Sequence, residues 1–111
     1  MGSIFSKIIH KEIPADIVFE NDKVIVIKDI NPQAPVHLLI IPKIEYKDLQ
    51  SVPPNDLAII SEIGLVAQQL AKQFDLTDGY RLLTNNGPLA GQTVFHLHFH
   101  LLGGRPLGAL G

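Results

Sequence analysis

Seven residues near the end of the chain, Phe95–Leu101, alternate strictly between large apolar side chains and histidines. A period of two is typical of a β-strand with two chemically different faces. One face is aromatic and aliphatic and is expected to meet the core, and the other carries His96, His98 and His100 in a row. The unperturbed pKa of histidine is about 6.5, so an imidazole can gain or lose a proton near neutral pH. A row of imidazoles therefore indicates a chemical role for this face and not a packing role.

The pattern before this segment predicts two helices and four further strands. A short helix over residues 3–11 is capped by Ser3, and a long helix begins at Pro53–Pro54 and ends at about Phe74. The predicted strands are Ile17–Glu20, Val24–Ile27, Val36–Pro42, Gly79–Asn85 and the histidine segment. Short connections and one long helix between the third and fourth strands favour an α+β fold with a five-stranded antiparallel sheet.

The long helix carries two adjacent apolar stripes, which is more than one contact with a sheet requires. The first consists of Leu57, Ile60, Gly64, Ala67, Ala71 and Phe74, and the second of Ile59, Ile63, Val66 and Leu70. We therefore predict that the second stripe contributes to a dimer interface.

Composition narrows the function classes. A chain of 111 residues predicts one domain, and the absence of cysteine excludes disulfides, thiolate metal sites and a cysteine nucleophile. The lack of cysteine fits a cytoplasmic location. A formal charge of -2 without a run of lysine or arginine gives no reason to expect nucleic acid as a partner. No segment approaches the ~20 apolar residues of a membrane span.

Three interpretations of the histidine row remain open on the residues alone. The histidines are structural and hydrogen-bonded in a polar patch, or they hold a metal, or they perform covalent catalysis at phosphorus. A metal site is geometrically difficult, because residues four apart on a strand are separated by ~13 Å and zinc requires each nitrogen at ~2.1 Å, unless His37 supplies the third ligand.

The catalytic interpretation has the middle imidazole as nucleophile. Its attacking nitrogen has a lone pair only if the other nitrogen carries the proton, and an acceptor behind the ring must fix that tautomer. The outer histidines, each ~7 Å from the middle one, would line the same pocket. Gly87 and Gly91 would let backbone N–H groups approach an anion, and Thr93 would add a hydroxyl, although the two glycines also fit simple turn formation.

At these residues the chain resembles the histidine triad (HIT) family, in its histidine triad nucleotide-binding branch of bacterial type. The segment His96-Leu97-His98-Phe99-His100-Leu101-Leu102 matches the pattern His-φ-His-φ-His-φ-φ, where φ is apolar. Further segments with the same resemblance are Phe5–Ile9, Glu12–Pro14, Asp29–His37, Ile40–Lys43, Gly79–Arg81, Gly91–Thr93 and Leu102–Gly108. The resemblance covers nearly the whole chain.

The resemblance implies a HIT-like fold over residues 1–111 and a homodimer whose two sheets join into one ten-stranded sheet. It implies a purine nucleoside phosphoramidate as substrate, hydrolysed through a covalent nucleotidyl-histidine. No cofactor is required, and adventitious zinc is possible. The alternatives are a dinucleoside polyphosphate hydrolase, or a nucleotide-binding adaptor with little turnover.

The resemblance also assigns roles to residues. His98 resembles the nucleophile, His96 and His100 its flanking partners, and His37 the histidine behind them. Asp29, with Ile30 beside it, resembles the residue that holds the ribose hydroxyls. The phosphate-binding positions are Asn85, Gly91, Gln92, Thr93 and His100, and the apolar slot for the base consists of Ile4, Phe5, Ile8 and Ile27.

Overall fold

A computed structural model describes residues 2–111, so Met1, the first residue of the predicted domain, lies outside the described residues. The helices are α1 (Ile4–Ile9) and α2 (Ala58–Gln73). The strands are β1 (Ile17–Glu20), β2 (Val24–Lys28), β3 (Val36–Pro42), β4 (Tyr80–Leu83) and β5 (Phe99–Gly103). The predicted α+β class and five-stranded antiparallel sheet are confirmed.

The five strands form one sheet in the order β1-β2-β3-β5-β4, with every neighbouring pair antiparallel. Both faces of the central strands are covered, which explains their unbroken apolar sequence. One face packs against α2, and its cluster is Val24, Val26, Leu38, Ile40, Ile63, Val66, Ala67, Leu70 and Leu101. The other face packs against α1, and its cluster is Phe5, Ile8, Ile25, Ile27, Leu39 and Ile41.

The second apolar stripe of α2 was predicted to form a dimer interface, and this is wrong. Ile63, Val66 and Leu70 are at most 1% exposed and belong to the chain's own core, with Ile59 packed beside them. The reason is the breadth of the sheet: β2, β3 and β5 together present enough apolar surface to bury the whole stripe.

The histidine segment is a strand only in part, which corrects the prediction. β5 begins at Phe99, so His100 lies in it while His96 and His98 precede it. Continuing the ladder would place Leu97 opposite Pro42, which has no N–H to donate. The Leu97 N–H instead donates to the Tyr46 carbonyl at 2.7 Å. The two-faced alternation fails there too, because Phe95 is 43% exposed while His96 and Leu97 are both buried.

None of the helices described in residues 2–111 combines the length and the apolar character needed to span a bilayer.

Candidate active site

Pairing between β3 and β5 brings His37 and His100 together. His100 lies directly opposite Leu39, and residues two apart on a strand share a face, so His37 lies on the same face one step along. The Nε2 atom of His37 is 2.9 Å from the Nδ1 atom of His100. The ring of His98 follows, with its centroid 5.1 Å from that of His100.

The tautomer of His98 is determined by its backbone partner. Its Nδ1 atom lies 2.7 Å from the carbonyl oxygen of His96, and because a carbonyl only accepts, Nδ1 carries the proton. The Nε2 atom therefore has a free lone pair. No buried side-chain nitrogen or oxygen within residues 2–111 lacks a partner, so this unpaired nitrogen is accessible to solvent. The acceptor that the catalytic interpretation requires is present.

A second chain of hydrogen bonds fixes His37 and His100. The N–H of Gln33 donates to Nδ1 of His37 at 3.0 Å, so the proton of the neutral ring lies on Nε2. That Nε2–H donates to Nδ1 of His100, which places the proton of His100 on its Nε2. The site thus presents an imidazole lone pair from His98 beside an imidazole N–H from His100.

His96 does not line the site, which corrects the expectation for the outer histidines. It is 0% exposed, and both of its ring nitrogens have partners inside the protein. Nε2–H donates to the Pro42 carbonyl at 2.8 Å, and Nδ1 is 2.8 Å from the Ser3 hydroxyl. His37 is 7% exposed. The rings of His96 and His37 are therefore buried among protein groups and are not positioned to contact a ligand.

Burial keeps the four rings neutral. Desolvation is the main cause that lowers the pKa of His37, His96 and His98, because the charged form loses hydration inside the protein. The pKa of His100 is lowered to about 4, first by burial and then by the neighbouring rings of His98 and His37. A neutral His98 at pH 7 is the form that can attack an electrophile.

Asp29, His37 and His100 place possible metal-ligating atoms within 4.8 Å of one another. A metal at this point would need the lone pair of His37 Nε2. Since His37 Nδ1 already accepts the Gln33 N–H, that ring would have to lose its last proton or break the bond. The donor set therefore does not fit zinc.

The residues predicted for the base slot separate into two groups. Phe5, Ile8 and Ile27 share the buried cluster under α1, and the ring of Phe5 meets the ring of His98 edge-on at 4.9 Å. Ile4, on the outer side of the helix, is 52% exposed.

Asp29 and Ile30 lie in the loop after β2, and Ile30 is 97% exposed. Asp29 accepts the N–H of Asn31 through Oδ1 at 2.8 Å, so it caps its own loop. Its Oδ2 atom lies 3.4 Å from Nε2 of His37, which brings the carboxylate to the edge of the histidine cluster.

The loop between β4 and β5 supports the site differently from the prediction. Gly87 and Gly91 have φ of 88° and 99°, which explains the glycines, but neither has an N–H free for an anion. The Gly87 N–H donates to Gln92 Oε1 at 2.7 Å, and the Gly91 N–H to the Pro88 carbonyl at 3.0 Å. Asn85 is partly exposed and Thr93 exposed, so both side chains can be reached by a ligand.

Gln92 is buried and braces this loop. Besides accepting from Gly87, its side-chain amide donates to the Lys47 carbonyl at 2.8 Å and to the Val94 carbonyl at 3.0 Å. Its own N–H donates to the Gly87 carbonyl at 3.1 Å. With its side-chain amide and its own N–H all used, Gln92 holds the position of Thr93 and has no hydrogen-bond donor left for a phosphate.

We expect Gln92→Ala to lower the free energy of unfolding by about 2–3 kcal/mol, because three backbone groups lose their partner. Urea denaturation monitored by circular dichroism measures the change. Gln68→Ala, at an exposed position on α2, is the matched control and should stay within about 0.5 kcal/mol of the parent. Equal stability of the two variants would contradict the bracing role.

Several contributors to the site were not predicted. The Thr84 hydroxyl donates to the His98 carbonyl at 2.8 Å, and the Gln33 N–H and the Pro42 carbonyl fix two ring tautomers. Backbone groups leave no signal in a sequence pattern, and Thr84, the residue directly after β4, stands in no distinctive motif. Ser3 was predicted as a helix cap, which is confirmed by the Ser6 N–H donating to its hydroxyl at 3.0 Å.

Comparison with known proteins gives a consistent result. A family model described as HIT domain matches residues 10–107. The solved structure of a HIT family hydrolase from Clostridium thermocellum superposes with a TM-score of 0.93 at 47% identity, covering 97% of this chain and 95% of that one.

Two named relatives cover almost the whole chain. The purine nucleoside phosphoramidase of Escherichia coli K12 is 47% identical over 109 residues, which are 97% of this chain and 92% of the relative. A 14 kDa zinc-binding protein of Zea mays is 48% identical over 107 residues, 95% of this chain and 84% of the relative.

The sheet, the helix on each face and the ordered imidazoles define a class of α+β proteins built around a cluster of histidines. The family match and the relatives then place the protein within that class: the chain belongs to the HIT family.

Proposed function

We propose that this protein is a purine nucleoside phosphoramidate hydrolase that acts through a nucleotidyl intermediate on His98. The observation that carries the proposal is the hydrogen bond from His98 Nδ1–H to the His96 carbonyl, which leaves the Nε2 lone pair free. A nucleophile held as one tautomer, in a ring kept neutral by burial, is prepared for attack without prior deprotonation.

In the first step, Nε2 of His98 attacks the α-phosphorus and forms an N–P bond. The P–N bond to the amine breaks, its electron pair goes to the amine nitrogen, and that nitrogen takes up a proton. His100 is the acid next to the reaction. A bound phosphate anion raises the pKa of His100, which then takes up one proton from solvent on Nδ1 while the Nε2–H of His37 turns to Asp29 Oδ2, 3.4 Å away. The Nε2–H of the charged His100 supplies the proton to the amine.

In the second step, water attacks the nucleotidyl-histidine. The N–P bond to His98 breaks, the ring recovers its lone pair, and the proton of the water returns to the His100 network. The His96 carbonyl holds the Nδ1–H throughout, which stabilises the positive charge that develops on the His98 ring while the adduct exists.

Substrate recognition is part of the proposal. The carboxylate of Asp29, held by its loop cap, suits the vicinal hydroxyls of a ribose. Phe5, Ile8 and Ile27 form the wall of the base slot, and Ile4 and Ile30 contribute exposed apolar surface at its edge. Asn85, Thr93 and His100 contact the phosphate. The name of the Escherichia coli relative, a purine nucleoside phosphoramidase, supports this substrate class.

The proposal extends to the assembly and location of the protein. We infer a cytoplasmic homodimer of single HIT domains whose sheets join into ten strands. The outer strand β4 favours this arrangement, because it is an edge strand that exposes Tyr80 and Leu82, and such edges are protected by pairing.

A comparison of substrates tests the activity. We expect the protein to hydrolyse an adenosine phosphoramidate at least about tenfold faster, in kcat/KM, than a diadenosine polyphosphate under the same conditions. The reverse order would favour a dinucleoside polyphosphate hydrolase. Tight binding of adenosine monophosphate with negligible turnover of both substrates would favour an adaptor role and contradict the enzymatic proposal.

A further inference from the structure

The Ser3 hydroxyl joins the start of α1 to the histidine cluster. It accepts the Ser6 N–H at 3.0 Å and lies 2.8 Å from Nδ1 of His96. An N–H only donates, so the hydroxyl proton is free to point at His96. The bond requires an unprotonated Nδ1, which is present because the ring's single proton lies on Nε2 and faces the Pro42 carbonyl.

This bond is the second of two that fix the ring of His96. The ring is completely buried, so loss of the hydroxyl would leave Nδ1 with a lone pair and no donor. His96 matters to the reaction through its backbone, because its carbonyl is the acceptor that determines the tautomer of His98. We expect a ring that tilts or changes tautomer to shift this carbonyl, because ring and carbonyl belong to the same residue.

Ser3 reaches the nucleophile by a second route. By capping α1 it fixes the helix that carries Phe5, and the ring of Phe5 packs edge-on against the His98 ring at 4.9 Å. The Ser3 hydroxyl therefore supports both contacts that orient His98: the hydrogen bond to the His96 carbonyl and the packing against the Phe5 ring.

We propose that Ser3 is a positioning residue for His98, acting through the ring and carbonyl of His96 and through the cap of α1. The inference deepens the proposed function and rests on it for the kinetic consequence. The tautomer of His98, which Ser3 is proposed to fix, can be measured in the free protein without any substrate.

Three substitutions separate the hydroxyl's donor from its capping acceptor. Ser3→Thr keeps both. Ser3→Asp keeps a good helix cap but, being ionised, has no proton for Nδ1 of His96. Ser3→Gly lacks the hydroxyl at little cost to the helix, since glycine is tolerated at this cap position. Ser6→Ala is the matched control, because only the backbone N–H of Ser6 contacts Ser3.

For kcat on an adenosine phosphoramidate, we expect Ser3→Thr and Ser6→Ala to stay within about twofold of the parent. Ser3→Gly and Ser3→Asp should lose at least about tenfold in kcat with a smaller change in KM, because a misoriented nucleophile affects the chemical step. Thermal unfolding of each variant is measured alongside.

The tautomers are read by ¹⁵N NMR of the imidazole nitrogens. In Ser3→Asp, a carboxylate now faces Nδ1 of His96, and Glu45, whose Oε1 lies 3.9 Å from that atom, adds to it. Burial, and after it the neighbouring His98, lowers the pKa of His96; these charges act against both, so they should raise that pKa and bring its titration toward neutral pH. The parent should show a single Nδ1–H tautomer of His98, and Ser3→Gly a mixture.

The outcomes distinguish the two proposals. If the parent fails to hydrolyse phosphoramidates, yet Ser3→Asp and Ser3→Gly show these NMR changes relative to it, the proposed function is overturned and the positioning role is kept. A parent that turns over normally while Ser3→Asp and Ser3→Gly keep its kcat and its His98 tautomer overturns the positioning role. If the Ser3 variants lose only thermal stability, with kcat per folded molecule unchanged, Ser3 acts only as a helix cap, and the positioning role is again overturned.

Discussion

His98→Ala is expected to lose hydrolysis of an adenosine phosphoramidate by roughly 10⁴-fold or more in kcat, because no other group replaces the attacking nitrogen. Binding of adenosine monophosphate should change little, since Asp29, Thr93 and the Phe5 cluster remain. The loss in kcat without a matching loss in affinity is the signature of a group that acts in the transition state.

Two measurements check this expectation. Steady-state kinetics and calorimetric titration with adenosine monophosphate give kcat and affinity for the parent, His98→Ala and the control His10→Ala. His10 is exposed and bonds only within α1, so its variant should match the parent. Intact mass of protein quenched during turnover should show a nucleotidyl adduct in the parent and in His10→Ala, and none in His98→Ala. Hydrolysis at the parental rate by His98→Ala would exclude the covalent scheme.

The second large effect is a loss of stability in mild acid. The pKa of His37, His96, His98 and His100 is lower in the folded protein than the ordinary value of 6.5, with burial as the main cause. Between the folded and the unfolded pKa, the unfolded chain binds more protons, so stability rises with pH. The stability is complete above about pH 7 and is lost as the pH falls through 6.5 toward the folded values.

For His100, whose pKa is lowered to about 4, the loss between pH 7 and pH 5 is about 2 kcal/mol, and the other three rings add to it. Urea midpoints at several pH values in this window measure the slope, and most carboxylates stay ionised there. His100→Asn keeps an acceptor for His37 and should flatten the slope, whereas Gln68→Ala, an exposed position without a titratable group, should leave it unchanged. A parent slope of zero would show that the rings are not held neutral.

The pattern of apolar residues in the sequence predicted the architecture well, because this pattern reflects which faces of each element are buried. β2 and β3 were placed correctly, since their continuous apolar sequence reflects a sheet covered on both faces. The same reasoning failed for α2, whose second stripe is buried by its own chain. The width of an apolar stripe indicates how much of the helix surface must be covered. Only the folded structure shows whether the chain's own sheet or a second subunit covers it.

The histidine segment shows that a sequence pattern does not predict the exact bounds of a strand. Perfect alternation predicted a strand from Phe95, but Pro42 on the neighbouring strand has no N–H and ends the pairing at Phe99. The loop glycines were correctly placed at a turn, yet their N–H groups are used by Pro88 and Gln92 within the loop. Long-range partners decided both cases.

By itself, the sequence determined that three imidazoles lie within five residues beside an apolar sheet, and that His98 is the middle one. Tertiary structure alone decided which nitrogen of each ring carries a proton. For His96 and His100 that choice depends on groups from distant parts of the chain, namely Ser3, Pro42 and His37. For His98 and His37 it depends on nearby backbone groups, the His96 carbonyl and the Gln33 N–H, whose directions the folded chain sets. An imidazole has two chemically similar nitrogens, so its reactivity is set by the hydrogen bond made on the far side of the ring.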